Sequence, residues 1–415
     1  MKFRDYQLDI IKRGTEIISE HGLLYLAMEV RTGKTLTALG ICSELNAHNV
    51  LFITKKRAIP SIESDFKMMG KDFTLTVINY ESLHKIDAPA DKFEVIICDE
   101  AHCMGAFAVP SLRAKQVKHL FHLNPTAHLI LLSGTPTPES FSQIYHQVWG
   151  HPNNPFAAWK SFYKWAKLFV NVTQKRIRGN MINDYSNGNE KMIFTAMAPY
   201  TISYSQKDAG WVSYIEEEVL ICNMSTMTHK ICKKLRNDRV FHGKSDVILA
   251  DTGVKLMSKL HQLYSGTVIL ESGDHKVIDY SKAEYIAKRF WQAKIAIFYK
   301  FKSELDALLE VFGKERITQD VEEFQATDKN IALQIVSGRE GISLKDADFL
   351  VYYNIDFSAT SYWQSRDRMS TKTRANNKIY WVFSDGGIEE KIYKVVNKKK
   401  NYTLKHFNED LTKFY

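Results

Sequence analysis

Leu23-Leu-Tyr-Leu-Ala-Met-Glu-Val-Arg-Thr-Gly-Lys-Thr35 begins as a short apolar run, passes through a loop with one glycine, and opens a helical pattern that continues through Leu36, Ala38, Leu39 and Ile41. An apolar run this short, bounded by a glycine loop, predicts a buried strand. Four more runs of the same kind follow in the first third: Asn49–Ile53, Leu75–Ile78, Phe93–Ile97 and His128–Leu132. Helical stretches separate them, which implies a parallel sheet with right-handed crossovers. The last third returns to the alternation in Lys294–Phe298, Ile331–Val336, Phe349–Tyr353 and Lys378–Phe383, a second α/β lobe. The spacing predicts lobes over residues 1–145 and 211–415 with an insertion over 146–210 between them.

The insertion differs in composition from both lobes. Trp149, Phe156, Trp159, Phe162, Tyr163, Trp165 and Phe169 crowd into about one helical subdomain's length, interrupted by His151-Pro-Asn-Asn-Pro155. Trp159, Phe162, Tyr163 and Phe169 fall near helical spacing, so core packing is expected rather than a base-stacking surface. A polar, loop-like stretch is expected from Gln174 to Glu190.

Length, charge and cysteine usage narrow the class. A chain of 415 residues exceeds one ordinary core, and 45% hydrophobic with 25% charged residues is a soluble globular balance. No apolar run is long enough to span a bilayer and Met1-Lys-Phe-Arg-Asp5 is not a signal peptide, so a cytoplasmic protein is expected. The five cysteines (Cys42, Cys98, Cys103, Cys222, Cys232) contain no Cys-x-x-Cys pair, which argues for free thiols in a reducing compartment. The net charge of +9 favours a polyanionic partner without proving one.

Met28-Glu-Val-Arg-Thr-Gly-Lys-Thr35 has the make-up of a nucleotide-binding loop. The phosphates of ATP need backbone N–H groups and a helix N-terminus, which a tight loop before a helix supplies. Arg31, Thr32 and Gly33 would wrap the phosphates, Lys34 would reach the β- and γ-phosphates, and Thr35 would ligate Mg²⁺. The full pattern G-x-x-x-x-G-K-T asks for glycine where Met28 stands. A second signal supports the first: Phe93-Glu-Val-Ile-Ile-Cys-Asp-Glu-Ala-His102 is an apolar strand ending in two adjacent carboxylates. At a strand end Asp99 can hold Mg²⁺, and Glu100 can polarise the water that attacks the γ-phosphate.

Asp-Glu-Ala-His102 resembles the DEAH form of motif II in the superfamily 2 helicases and translocases, and the other motifs follow in the family's order. Arg4-Asp-Tyr-Gln7 resembles the adenine-reading element, with Gln7 on the base. Phe52-Ile-Thr-Lys-Lys56 resembles motif Ia, Asn79-Tyr-Glu-Ser82 the next nucleic-acid-facing motif, and Ser133-Gly-Thr-Pro136 motif III. Ile295-Ala-Ile-Phe298, Ser337-Gly-Arg-Glu-Gly-Ile-Ser343 and Tyr362-Trp-Gln-Ser-Arg-Asp-Arg368 resemble motifs IV, V and VI. Met-Glu-Val before the loop, Leu256–Gly266 and Gly387-Ile-Glu-Glu-Lys-Ile392 resemble the Swi/Snf-type branch.

The resemblance implies two tandem RecA-like lobes and an ATP-dependent DNA helicase or duplex translocase using ATP and Mg²⁺. His102, Ser133, Thr135 and Gln364 would couple hydrolysis to motion. Lys55, Lys56 and Arg57 of the first lobe, with Ser337, Gly338 and Arg339 of the second, would grip phosphates with little regard to sequence. Motif VI departs from Q-x-x-G-R-x-x-R: aligned on Gln364, the first arginine is Arg368, but the second falls on Thr371, with Arg366 and Arg374 nearby. Arg368 is therefore the expected arginine finger and Arg374 the substitute for the missing partner. A monomer acting on duplex or branched DNA is expected, with no membrane partner and with protein partners in replication, recombination or repair. A phage or other mobile element would suit so compact a motor. An RNA helicase and a nucleotide-dependent switch that no longer hydrolyses ATP are the competing readings.

Overall fold

A computed structural model describes residues 3–70, 73–86, 92–177, 180–210, 214–243, 247–338, 344–366 and 376–398. The chain divides into two compact units, Met1–Trp211 and Val212–Tyr415. Residues 146–210 thus lie within the first unit.

In the first unit the strands are β1 (Leu23–Met28), β2 (Asn49–Thr54), β3 (Thr74–Asn79), β4 (Val95–Cys98) and β5 (His128–Leu132). A hairpin of β6 (Thr173–Ile177) and β7 (Asn180–Asp184) follows, and then β8 (Thr201–Tyr204). One parallel sheet runs β3-β2-β4-β5-β1-β8. Alternate side chains point to opposite faces, and both faces are covered. Leu24, Leu26, Val50, Phe52, Ile97 and Ile130 pack with α1 (Asp5–His21), α2 (Lys34–Glu44) and α3 (Ile59–Met69). Tyr25, Leu51, Ile53, Ile96, Cys98 and Leu131 meet α4 (Leu112–Leu123), α5 (Ile144–Val148), α6 (Phe162–Phe169) and α7 (Glu190–Met197). Burial on both faces is why the strands read as unbroken apolar runs.

The aromatic segment is core. Phe156, Phe162, Trp165 and Phe169 are buried, and the Trp165 and Phe169 rings stack with centroids 5.3 Å apart. The buried face of α6 is Phe162, Trp165, Ala166 and Phe169, at i, i+3, i+4 and i+7. Tyr163, expected on that face, points outward, and Trp159 precedes the helix. The stretch expected to be loop from Gln174 holds the β6–β7 hairpin instead. Gln174, Arg176 and Asn183 are exposed along it, so it has no apolar period-two signal to read.

The second unit begins with β9 (Tyr214–Cys222) and two short antiparallel pairs, β10 (Val240–His242) with β11 (Val247–Leu249) and β12 (Thr267–Ile269) with β13 (His275–Val277). It continues with β14 (Ile295–Tyr299), β15 (Ile317–Thr318), β16 (Asn330–Gln334), β17 (Phe349–Tyr352) and β18 (Asn376–Ser384). The parallel sheet runs β15-β16-β14-β17-β18-β9. Its helices are α8 (Thr226–Asp238), α9 (Gly253–Leu263), α10 (Ser281–Arg289), α11 (Lys302–Phe312), α12 (Val321–Ala326), α13 (Ile335–Gly338), α14 (Ala359–Arg366) and α15 (Glu389–Val396). The strand expected to reach Val336 stops at Gln334, where the chain turns helical.

A fully buried ion pair ties this unit's layers together. Lys282 of α10 lies 2.8 Å from the carboxylate of Glu389 in α15, and both side chains are shut off from solvent. Lys282 Nζ also donates to the Tyr353 carbonyl at 3.1 Å, and the Ser384 hydroxyl donates to Glu389 at 2.6 Å. Removing one partner of such a pair strands a buried charge and costs about 3–5 kcal/mol, whereas replacing both by apolar residues is often neutral. Lys282→Met should destabilise the second unit by that amount in urea unfolding. Lys282→Met/Glu389→Leu should recover most of the loss.

Candidate functional site

In a parallel sheet, ligands bind beyond the carboxyl ends of the strands. At that edge of the first sheet four neighbouring strands end in residues with polar chemistry nearby. Thr54 ends β2, Asp99 follows β4, Ser133 follows β5, and Met28 ends β1. Strand pairing sets them side by side, with Ile53 opposite Cys98, Cys98 opposite Leu131, and Leu26 opposite Leu132.

The loop from β1 to α2 bends through two left-handed residues, Arg31 at φ 63° and Gly33 at φ 79°. Such a conformation turns backbone N–H groups into a concavity that suits anions. Gly33 is the N-cap of α2, and Thr37 donates to its carbonyl from both backbone and hydroxyl at 3.0 Å. A Cβ at Gly33 would lie 2.5 Å from Gln7 Nε2. Glycine is favoured there by its left-handed backbone, and a side chain would also have to displace the Gln7 amide. Thr32 is buried, with its hydroxyl on the Glu29 carbonyl at 2.7 Å. Lys34 and Thr35 open α2 and are half-buried. Met28 is not in the loop proper: it is the last residue of β1, buried, and paired with Tyr204 of β8. A core side chain fits that position, which accounts for the missing glycine.

Residues before and after the lobe's core clamp this loop. Gln7 Oε1 accepts from Arg4 N at 3.0 Å, its Nε2 donates to the Gly33 carbonyl at 3.4 Å, and the Tyr6 hydroxyl donates to the Thr32 carbonyl at 3.0 Å. On the β8 side, Glu29 N donates to the Tyr204 carbonyl at 3.0 Å, and the Gln206 amide donates to the Val30 carbonyl at 3.0 Å. Tyr6 stacks on Tyr204 with centroids 4.7 Å apart. Sequence reading missed Tyr6, Tyr204 and Gln206; the run Thr201-Ile-Ser-Tyr204, rich in strand formers, was the available signal.

Asp99 is fixed on three sides. Its N donates to the Ile53 carbonyl at 2.8 Å, its Oδ2 accepts from the Thr54 hydroxyl at 2.8 Å, and its carbonyl accepts from the Tyr80 hydroxyl at 2.8 Å. Burial, and then the neighbouring Glu100 carboxylate, raise the Asp99 carboxyl to about 6, while Lys34 and Thr54 pull it down. Lys34 is therefore within electrostatic reach of Asp99. Glu100 takes a left-handed backbone at φ 49°, a conformation costly for a residue with a Cβ and common where function fixes the chain. His102 Nδ1 lies 3.3 Å from Glu100 Oε2 and 3.1 Å from Ser133 Oγ. Ser133 Oγ accepts from Thr135 N at 3.1 Å, so Glu100, His102, Ser133 and Thr135 form one connected set. A Cβ on Gly134 would lie 3.4 Å from Val30 N, which places this turn against the β1–α2 loop.

Two adjacent half-buried carboxylates, Asp99 with a raised pKa, are short of positive charge that a divalent cation would supply. Among the described residues no group of three or more His, Cys, Asp or Glu could hold a metal by itself.

The remaining expected site residues divide by position. Lys55 lies at the end of β2, and Lys56 and Arg57 stand exposed in the turn that follows. Ser337 and Gly338 close α13, and Gln364 lies in α14. Arg339, Arg368, Thr371 and Arg374 lie outside the described residues. Arg366 serves the fold of the second unit, lying 2.9 Å from Glu217 and over the Trp363 ring. Glu217 also accepts from Tyr362, Trp381 and Tyr393, so Arg366 belongs to an aromatic-capped ion pair.

Because Asp99 has a folded-state pKa above its ordinary 3.8, ionising it costs the folded protein stability as pH rises from 3.8 to about 6, and the cost stays constant above that. Asp99→Asn should therefore melt above wild type near pH ~8 when neither Mg²⁺ nor nucleotide is present. The advantage should shrink as pH falls through about 6 and vanish near 4, in thermal melts across a pH series.

Residues 1–138 match the family model of the type III restriction enzyme res subunit. The ISWI chromatin-remodeling complex ATPase ISW1 of Saccharomyces cerevisiae is 20% identical over 381 residues, 80% of this chain. The chain spans 31% of that relative's length. The SWI2/SNF2 ATPase core of Sulfolobus solfataricus in complex with dsDNA is 16% identical, with 96% of this chain and 91% of that chain covered and a TM-score of 0.43. The core domain alone is 17% identical, with 96% and 89% covered and a TM-score of 0.40. In sequence the chain is similar to the type III restriction enzyme res subunit over residues 1–138 and to the ISW1 ATPase over 381 residues, and its motifs follow the order of the superfamily 2 helicases.

Proposed function

We propose that the chain is an ATP-driven motor on DNA, a helicase or duplex translocase with little sequence preference. The observation that carries this reading is the convergence of the phosphate loop, the half-buried Asp99–Glu100 pair and the His102–Ser133 link at one sheet edge. Similarity to helicase-type ATPases supports nucleic-acid-dependent ATP hydrolysis. The curated relative is the ATPase of a chromatin-remodeling complex, which favours duplex DNA over RNA as the track. A switch that has lost hydrolysis gains nothing from Met28, because that position lies in the strand.

In this mechanism the loop N–H groups and Lys34 hold the phosphates, and Arg31, Thr32 and Gly33 shape the loop around them. Thr35 and Asp99 would hold Mg²⁺, which offsets charge on the β- and γ-phosphates. Glu100 orients the attacking water and takes its proton. His102 senses that carboxylate and passes its state through Ser133 to the Thr135 backbone. The motif VI resemblance would give Gln364 a coupling role and Arg368 the role of arginine finger. Gln7 would act on the adenine while steadying Gly33. Lys55 and Lys56, with Ser337, Gly338 and Arg339, would hold the track by its phosphates.

The test is steady-state ATP turnover with duplex, forked and single-stranded DNA and with RNA. Duplex or forked DNA should stimulate most; stimulation by RNA alone would make this an RNA motor. Lys34→Ala should abolish turnover, and Glu100→Gln should retain ATP binding while blocking hydrolysis. Arg368→Ala should lose on the order of 10³–10⁵ in stimulated turnover if it is the finger, against almost nothing for an exposed ion pair.

A further inference from the structure

The charge of this chain is not spread evenly. Between residues 160 and 184 stand three lysines on and before α6, Lys160, Lys164 and Lys167, and three cations further along the sequence, Lys175, Arg176 and Arg178. Asp184 is the one acidic residue in that stretch, so it contributes +5 to a chain total of +9. Asp184 accepts hydrogen bonds from the backbone and hydroxyl of Ser186 at 3.1 and 3.0 Å, at the hairpin's base.

The hairpin is firmly rooted. Val170 and Gly188 form a β-bridge, Asn171 N donates to the Asn187 carbonyl at 2.9 Å, and Asn189 N donates to the Phe169 carbonyl at 2.8 Å. The Ser140 and Ser142 hydroxyls donate to the Ser186 and Tyr185 carbonyls at 2.7 and 2.6 Å. A Cβ at Gly188 would lie 2.8 Å from Ser142 N, so the base sits tightly against the segment that follows Ser133–Pro136. Beyond the base, side chains on both faces of the ribbon are exposed. Thr173 and Ile182 stand on one face, and Gln174, Arg176 and Met181 on the other, with Met181 59% and Ile182 47% exposed. A lone two-stranded ribbon is at best marginally stable in water, and exposed apolar residues at its end gain nothing unless something covers them.

We propose that this arm, α6 with the β6–β7 hairpin, is a second nucleic-acid contact of the first unit, outside the tract of recognised motifs. The inference rests on the nucleic-acid reading of the chain and extends it. Lys160, Lys164, Lys167 and Arg176 stand exposed on the arm, and such an excess of cations over carboxylates selects a polyanion. A two-stranded ribbon is a shape that a nucleic-acid groove admits, and flexible Met181 and Ile182 side chains can lie against sugar and base edges without reading sequence. The rooting at Ser140 and Ser142 ties the arm to the segment just past Ser133–Pro136.

Binding of a fluorescein-labelled duplex of arbitrary sequence, and of its single strand, is measured by anisotropy across a salt series. The proteins are wild type, Lys164→Gln/Lys167→Gln/Arg176→Gln, and a variant with residues 174–183 replaced by Gly-Gly. Thermal melting checks the fold, and Arg176→Lys serves as the charge-preserving control. Losing three phosphate contacts should lower the slope of log affinity against log salt by about 2.7, so the loss between ~50 and ~200 mM salt shrinks by roughly 40-fold. The shortened variant should behave likewise and Arg176→Lys as wild type. Folded variants with wild-type affinity and slope overturn the proposal while leaving the motor reading intact. A defect seen only with polyglutamate or anionic phospholipid vesicles assigns the arm to another partner and also overturns it. A wild type that binds no nucleic acid overturns both readings.

Discussion

Everything at this site depends on holding two adjacent carboxylates at the end of a strand buried on both faces. Apart from its Coulomb repulsion with Glu100, Asp99 pays for its burial with a pKa raised to about 6. The Thr54 hydroxyl and the nearby Lys34 offset only part of that cost. The protein keeps a charge-poor arrangement that apolar residues would stabilise, as is common where binding rather than stability sets the sequence. The parallel sheet provides the geometry: β2, β4, β5 and β1 end side by side, so one edge gathers hydroxyl, acid, serine turn and phosphate loop.

Around that pair the first unit is braced from both ends of its sequence. The N-terminal helix contributes Tyr6 and Gln7 to the phosphate loop, and the last strand contributes Tyr204 and Gln206. A loop held this way can keep its left-handed residues, Arg31 and Gly33, without help from a glycine at position 28. The His102–Ser133–Thr135 chain gives the acid pair a physical connection to the turn after β5.

Much of this was legible in the sequence because its signals were local. The β1 run with Gly33-Lys34-Thr35, and the β4 run with Asp99-Glu100, each state their structure within about a dozen residues. The apolar strands of both sheets announced themselves because both faces are buried. What stayed hidden was non-local or polar. Thr54 lay inside a quoted motif, but its bond to Asp99 spans forty-five positions of sequence separation. β8 has only four residues and pairs with a strand near the N-terminus. The hairpin has no apolar face to give a period, and Arg366 looked like a spare site arginine until Glu217, on β9, supplied its partner.

The most direct test of the central claim is the proton balance of MgATP binding, from calorimetric titrations in buffers of differing ionisation enthalpy. If the half-buried Asp99 carboxylate awaits a metal–nucleotide complex, wild type should release a proton on binding near pH 6, where Asp99 is partly protonated in the free protein. Asp99→Asn should abolish that release. MgATP binding with no proton exchange across that pH range, or release unchanged by Asp99→Asn, would contradict the account.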